Sequence, residues 1–382
     1  MKVFVVQQDL KRALSIVTRA VPSKSSMPIL STILFSIEEG TNVLTLEATD
    51  LNKAIRYTIP CSCSDYRNPK IAIPAKLLND LVNNLPAEGI TIATDENHKA
   101  TITSASGKIV SDINGLSASD FPDIPYDMSN KIAIVNAVAL KHALQQVSVA
   151  ASSEDGRPVL QGVFMQFPQK ENGNQMTMSA ADGYRLATRK LEMREQFMQD
   201  GCDVIIPAEA LQELSRLLMF ATDAVTISLN NNHMGFEVTT NDGDSLLLSR
   251  TIDGKYPDIE RVIPTTNPIE VTVNRVNFAK AVKVARLFAS TNILRIIVNP
   301  ILGIELQSNG DGKGNNSSKI DADVLGDGTT IALNVTFVED ALNVIDTENV
   351  TIYMNTAQNP AIFVPHGIEP TYKHVIMPMM VR

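Results

Sequence analysis

From Ala180 to Leu186 the chain reads Ala-Ala-Asp-Gly-Tyr-Arg-Leu, which places a carboxylate (Asp182), a phenol (Tyr184) and a guanidinium (Arg185) within four positions. Asp-Gly marks a tight turn. Hydrolysis would need a base, a nucleophile and an oxyanion-stabilising pair to converge there, and no such set assembles. The five histidines, His98, His142, His233, His366 and His374, lack ligand spacing, so each is expected on the surface or in a loop. Asn309-Gly310-Asp311-Gly312-Lys313-Gly314 begins like a calcium loop, but Lys313 occupies a ligand position and Ile320 stands where a bidentate Glu belongs. A phosphate-binding glycine loop, a nucleophile elbow and a His-Glu-x-x-His pair are all missing. No catalytic residue, metal or cofactor is expected. Cys61, Cys63 and Cys202 are odd in number, and Cys61-Ser62-Cys63 lacks the two-residue spacer of redox or zinc pairs, so reduced thiols are expected. The remaining unusual segment is the Met- and Val-rich end, His374 to Arg382, whose methionines suit a packed strand or an adaptable apolar groove.

The elements that would position these residues recur. Leu77, Leu78, Leu81 and Leu85 match Ala210, Leu211, Leu214 and Leu218, and then Phe337, Val338, Ala341 and Ile345, at domain-sized intervals. The i, i+1, i+4, i+8 stripe predicts three helices, with Pro74 and Pro207 at the start of the first two. A second stripe, i, i+3, i+4, i+7, runs through Leu10, Ala13, Leu14 and Val17, then Leu140, Ala143, Leu144 and Val147, then Phe278, Ala281, Val282 and Ala285. Strand-like leads precede it each time, and alternating stretches follow. SMPILSTILF at 26 parallels GRPVLQGVFM at 156, and DFPDIP at 120 parallels KYPDIERVIP at 255. These pairs predict three domains, 1–127, 128–265 and 266–382, each an α+β unit with two helices on one face of its sheets. Residues 308–318, SNGDGKGNNSS, are expected to form a mobile surface loop.

Composition narrows the class further. Forty-four percent apolar and 20% charged residues exclude wholesale disorder, and no apolar run approaches the roughly 18 residues of a membrane span. The opening MKVFVVQQDLKR is too briefly apolar for a signal sequence, so the cytoplasm is the expected compartment. A net charge of −9 argues against a protein that coats nucleic acid with its whole surface. Yet residues 8–24 carry Lys11, Arg12, Arg19 and Lys24 against Asp9 alone, and residues 274–290 carry Arg275, Lys280, Lys283 and Arg286 with no acid. Arg12, Arg19, Lys280 and Lys283 point away from their helices' apolar stripes. Basic helices in an acidic chain suit a polyanion held on one face.

Four segments, taken in order and separation, resemble the bacterial DNA polymerase III beta subunits, the replicative sliding clamps, along the whole chain. They are Met27-Pro28-Ile29-Leu30, Ala181 to Leu186, Asp253 to Asp258 and Val375-Ile376-Met377-Pro378-Met379. The resemblance implies the DNA clamp fold: three similar α+β domains per chain, helices packed on antiparallel sheets, and a head-to-tail homodimer closed into a ring around duplex DNA. It implies a processivity factor with no catalysis of its own and no cofactor, bound to DNA without regard to sequence. Lys24 and Arg157 match DNA-contact positions, and charge adds Arg12, Arg19, Lys280 and Lys283. A peptide-binding cleft is implied at Leu160, Gly183, Tyr184, Arg185, Leu186, Pro257, Arg261, Val262, Val375, Met377, Pro378 and Met379, where Gly183 would let backbone approach closely. Its implied occupants are the replicative polymerase subunit, the clamp loader, translesion polymerases and mismatch-repair proteins. Ile113 and Phe288 are the expected apolar partners in the subunit contact. Ala181, Tyr184 and Met380 depart from the family's frequent Thr, His and Arg, implying an altered peptide preference. A repeat adaptor that binds peptide motifs without encircling DNA is the alternative.

Overall fold

The computed structural model describes residues 1–241, 243–310, 312, 314–367 and 371–380. Among these are six α-helices: α1 (Gln7–Val17), α2 (Ala75–Asn84), α3 (Ala137–Ser148), α4 (Ala208–Leu217), α5 (Arg275–Phe288) and α6 (Val335–Val344). Every one springs directly from the end of a strand. The junction chemistry explains three of these starts. The Asn136, Asn274 and Asn334 side chains accept hydrogen bonds from the Ala139, Asn277 and Thr336 amides, each such cap contributing about 1 kcal/mol. Pro74 is the residue capping α2, one position before the first helical residue expected for it.

The α1 and α3 stripes are buried throughout, as are Phe278, Val282 and Ala285 of α5. The α2 stripe is rotated from the expected face. Leu78 and Leu85 are buried as expected, but Leu77 is 55% exposed and Val82 joins the core in its stead. The basic segment 8–24 is not one helix: α1 stops at Val17, where the Thr18 hydroxyl donates to the Leu14 carbonyl, and Arg19 belongs to a short 3-10 turn, Thr18–Ala20.

Packing gathers the chain into two compact units. The first comprises Met1–Lys141, Met193–Gln199 and Glu209–Thr251; the second comprises His142–Glu192, Asp200–Ala208 and Ile252–Arg382. In the first, a five-stranded antiparallel sheet runs in the order Ser62–Asp65, Lys2–Val6, Gly89–Thr94, Lys99–Ser104, Val110–Asn114. Beside it Thr32–Ile37, Val43–Thr49 and Lys53–Pro60 form a meander, and Lys53–Pro60 then pairs with Gly243–Arg250, more than a hundred residues away in sequence. That pairing welds strands of the first repeat to strands of the second.

The second unit repeats the device. Gly162–Phe167, Gln175–Ala181 and residues 185–192 form the meander, and Arg185 to Arg189 pairs with Tyr372–Ile376. A separate four-stranded sheet runs Gly314–Ile320, Gly303–Gly310, Ile293–Asn299, Thr329–Asn334. The expected loop at 308–318 is therefore mostly strand, with pairing continuing to Gly310 opposite Gly314. Alternate residues such as Ser308 point into the core, and its hydroxyl donates to the Ala285 carbonyl, so a polar composition is compatible with a ladder. Asp311 and Lys313 of the calcium-like segment lie outside the described residues. None of the helices is long and apolar enough to cross a membrane.

A candidate peptide cleft and its basic surroundings

In the second unit the turn between Gln175–Ala181 and the strand beginning at Arg185 is held by one carboxylate. Asp182 Oδ1 accepts from the Tyr184 and Arg185 amides at 2.8 and 2.9 Å, and its Oδ2 accepts from Arg185 Nε at 3.0 Å. Arg185 reaches onward to Asp340 at 2.5 Å and lies 4.3 Å above the Phe337 ring. Its side chain is only 10% exposed. Arg185, implied for the cleft, is a strut here that ties the turn to α6 through its Nε and Nη1 bonds to the two carboxylates. Phe337, expected in the α6 core, is half-buried as the strut's platform.

Gly183 has φ +95°, and a Cβ there would meet nothing nearer than Arg157 Nη1 at 4.0 Å. Within the chain, glycine is called for there by the left-handed backbone and not by crowding. Close approach belongs to Gly254, where a Cβ would lie 2.7 Å from Val159 Cγ1. That contact seats the segment 253–263, and Tyr256 anchors it. The Tyr256 ring stacks on Phe164 at 4.9 Å, and its hydroxyl accepts from the Ala181 amide. Burial pushes this phenol up to about 12, so it stays protonated and neutral.

Two apolar clusters form the floor: Leu160 with Ile205 and Tyr256, and Leu186 with Ile362, Val364 and Val375. Half-buried Ile259 packs against both and makes them continuous. Leu160, Leu186 and Val375 are thus buried supports, offering little surface of their own. The exposed apolar rim is Tyr184, Val262 and Met377, with Pro257 beside them and Pro378 and Met379 half-covered. Arg261 is exposed and pairs with Asp258. The chain end is tied down, since the Met377 amide donates to the Tyr184 carbonyl and the Met379 amide to the Ala332 carbonyl. An apolar rim on a pinned main chain, with Arg185 and Arg261 each paired to carboxylates, can bind an apolar peptide.

Within the strand Tyr372–Ile376, His374 is fully buried, although a surface or loop position was expected. Tyr372 Oη is 2.8 Å from its Nδ1. Burial, with the Arg185 charge adding to it, lowers the imidazole to about 3, so it is neutral. Asp340 had no mark in the sequence, and Phe337, Tyr256 and Ile259, though within repeated segments, were given no role at the site. Tyr256 and Ile259 had a signal, the repeated aromatic-Pro-Asp-Ile segment, whereas Asp340 meets Arg185 from 155 positions away with no local mark.

The basic residues divide into free and engaged groups. Lys24, Arg19, Arg157, Lys280 and Lys283 are exposed, and among the described residues no carboxylate pairs with them. Arg12 is engaged: it pairs with Asp9 at 3.3 Å and lines a pocket with Met219 and Phe220, so it does not simply face solvent. Also engaged are Arg286, with Glu339, and Arg275, with the Thr347 carbonyl. Ile113 is 3% exposed, so its side chain has no surface left for a partner. It is the buried position of its strand, while Ile109 and Val110 are exposed nearby. Phe288 is half-buried, and its neighbour Leu287 is the exposed residue.

Three family models cover the chain: the DNA polymerase III beta subunit N-terminal domain at residues 1–125, the central domain at 134–258 and the C-terminal domain at 260–380. Among curated relatives, a beta sliding clamp of Synechococcus elongatus is 30% identical with both chains covered in full, and one of Staphylococcus aureus is 27% identical over 94% of each. The crystal structure of a DNA polymerase sliding clamp from Bacillus subtilis matches over both whole chains with a TM-score of 0.89 at 25% identity. A putative DNA polymerase III beta subunit from Eubacterium rectale gives 0.87 at 28%, again over both whole chains.

Proposed function

The chain belongs to the DNA polymerase III beta subunit family, and from that premise we propose how it works as a DNA polymerase sliding clamp. Two chains close head to tail into a ring around duplex DNA, and the ring holds the polymerase through the cleft of the second unit. Linkage to DNA is topological, so phosphate contacts need only be weak and insensitive to sequence. The exposed cations Lys24, Arg19, Arg157, Lys280 and Lys283, which no carboxylate among the described residues pairs with, suit that task, whereas engaged Arg12 contributes less. The observation that carries the tethering role is the rim of Tyr184, Val262 and Met377 over a continuous apolar floor. It offers extended peptides a hydrophobic seat, and clamp-loader, translesion-polymerase and mismatch-repair segments would use the same one.

For the subunit contact, the strand Val110–Asn114 edges one sheet and Gly314–Ile320 edges another, and among the described residues each pairs on one side only. Edge strands call for a partner, and two different edges meeting head to tail make a heterologous contact that closes by rotation. Ile109, Val110 and Leu287 take the apolar roles first assigned to Ile113 and Phe288. The protein acts as a non-catalytic processivity factor in the cytoplasm. An adaptor that binds peptides without DNA is not favoured.

The test is retention on DNA. Loaded protein should stay on closed circular DNA and run off after linearisation; equal loss from both forms would overturn the ring. Lys280→Glu with Lys283→Glu should shorten retention as salt rises, and unchanged retention would remove both from the DNA-facing set. Met377→Ala with Met379→Ala should weaken a polymerase-derived peptide by about tenfold, the effect of losing roughly 1.4 kcal/mol of apolar contact. Unchanged affinity would remove the rim from the cleft.

A further inference from the structure

We propose that the first unit carries a second peptide site, a counterpart of the cleft, which takes a short extended segment bearing an apolar anchor and a carboxylate. The turn Asp50 to Lys53 reproduces the turn Asp182 to Arg185 bond for bond. Asp50 Oδ1 accepts from the Asn52 and Lys53 amides at 2.9 and 2.8 Å, and the Asp50 amide donates to the Lys53 carbonyl at 3.2 Å. The corresponding bonds of Asp182 are 2.8, 2.9 and 3.3 Å. Leu51, at φ +74°, stands where Gly183 has φ +95°. Lys53 bridges Asp50 and Glu209 as Arg185 bridges Asp182 and Asp340.

The neighbouring strand enters in the same way. The Arg250 amide donates to the Asn52 carbonyl at 2.8 Å, as the Met377 amide donates to the Tyr184 carbonyl at 2.9 Å. The third wall also repeats, with Phe121, Pro122 and Ile124 in the places of Tyr256, Pro257 and Ile259. Against these elements lies a cavity of about 260 Å³ walled by Leu51, Pro122, Ile124, Leu248, His233 and Arg250. Its size suits one or two side chains and not a folded partner.

The two clefts differ in what they ask of a ligand. Arg250 replaces Met377, is exposed, and has no carboxylate partner among the described residues. His233 lies directly opposite Arg250 in the strand register. Lys53 adds no net attraction, because Asp50 and Glu209 already neutralise it. Asp123 is exposed on the same cavity, so a ligand carboxylate must enter on the Arg250 side, with its apolar anchor against Leu51, Ile124 and Leu248. The inference rests on the cleft of the second unit being a peptide site.

The probe is a fluorescein-labelled peptide, Gly-Leu-Leu-Asp-Gly, titrated with the full-length chain and followed by anisotropy, alongside its Asn twin and a polymerase-derived peptide. Arg250→Glu should weaken the acidic probe by about tenfold, and the Asn twin should bind about fivefold more weakly to the unaltered chain. Leu51→Ser should weaken the probe about fivefold through lost apolar contact, and Met377→Ala should leave it within about twofold of the unaltered chain. Binding that survives Arg250→Glu, disappears in Met377→Ala, or fails to saturate at millimolar probe overturns the site. The polymerase-derived peptide reports separately: if Met377→Ala leaves it unchanged, the cleft itself fails, whatever the acidic probe does.

Discussion

The turns Asp50 to Lys53 and Asp182 to Arg185 share their hydrogen bonds, yet they are fastened differently. Lys53 is a point charge whose distant partner, Glu209, has a side chain 76% exposed. Arg185 is a planar fork whose distant partner, Asp340, is 32% exposed, and it also covers the Phe337 ring. Burial alone would lower the Lys53 ammonium, but its bonds to Asp50 and Glu209 outweigh that and hold it above the ordinary lysine range. The comparison shows how one backbone design acquires two characters. A wet, single-point tie leaves a polar cleft, whereas a drier, stacked, two-point tie makes a firm base for an apolar one.

The largest expected contrast is between the two ties. Arg185→Met should destabilise the second unit by about 3 kcal/mol, because it leaves mostly buried Asp182 and third-exposed Asp340 unpaired and uncovers the Phe337 ring. Lys53→Met should cost the first unit only about 1 kcal/mol, since Glu209 can rehydrate. Urea unfolding of the two variants decides this, and equal losses would break the comparison.

Acid should sharpen it next. The His374 imidazole is held at about 3 in the folded chain and lies near 6.5 when unfolded, so the unfolded state binds more protons between those values. Stability is therefore complete above the unfolded value and falls as pH drops below it, by up to about 1.4 kcal/mol per unit, or roughly 2 kcal/mol by pH 5. Hydrogen exchange should show the second unit opening first, and His374→Phe should flatten the slope. His233, in the first unit, is lowered by its partial burial and by Arg250, but it reaches solvent and should impose little slope. Equal acid sensitivity of the two units would contradict this account.

The smallest effect lies in the turns' backbones. Gly183→Ala should cost about 1 kcal/mol, because an L side chain must adopt left-handed φ there, and Leu51→Gly should recover about 0.5 kcal/mol by removing the same strain. Thermal unfolding of both variants measures the pair of opposite signs.

Much of this was legible before any coordinates. Asp-Gly predicted the turn at 182, the two stripes predicted all six helices, and the repeated Phe/Tyr-Pro-Asp-Ile segment marked a shared wall. The errors were errors of facing. Strand side chains alternate, so a shift of a few positions separates buried Ile113 from exposed Val110. A helix stripe one residue wide of its true centre put Leu77 in the core in place of Val82. In α6 the same stripe assigned Phe337 to the interior, although its ring serves Arg185. His374 carried no local sign of burial, since alternation along a strand says nothing about whether the second face is also covered.

The sequence by itself determined the local code: where turns form, where helices begin, which residues repeat and, through the family resemblance, what the protein does. Only the tertiary structure decided that Lys53–Pro60 pairs with Gly243–Arg250 and that Arg185 to Arg189 pairs with Tyr372–Ile376. It also decided that Arg185 would be spent on Asp340 and that, among the described residues, no carboxylate would pair with Arg250. The physical reason is that periodicity and turn chemistry act over a few residues. The pairing of strand edges and of charges far apart in sequence depends on which surfaces the packed units bring together, and no short stretch of sequence encodes that.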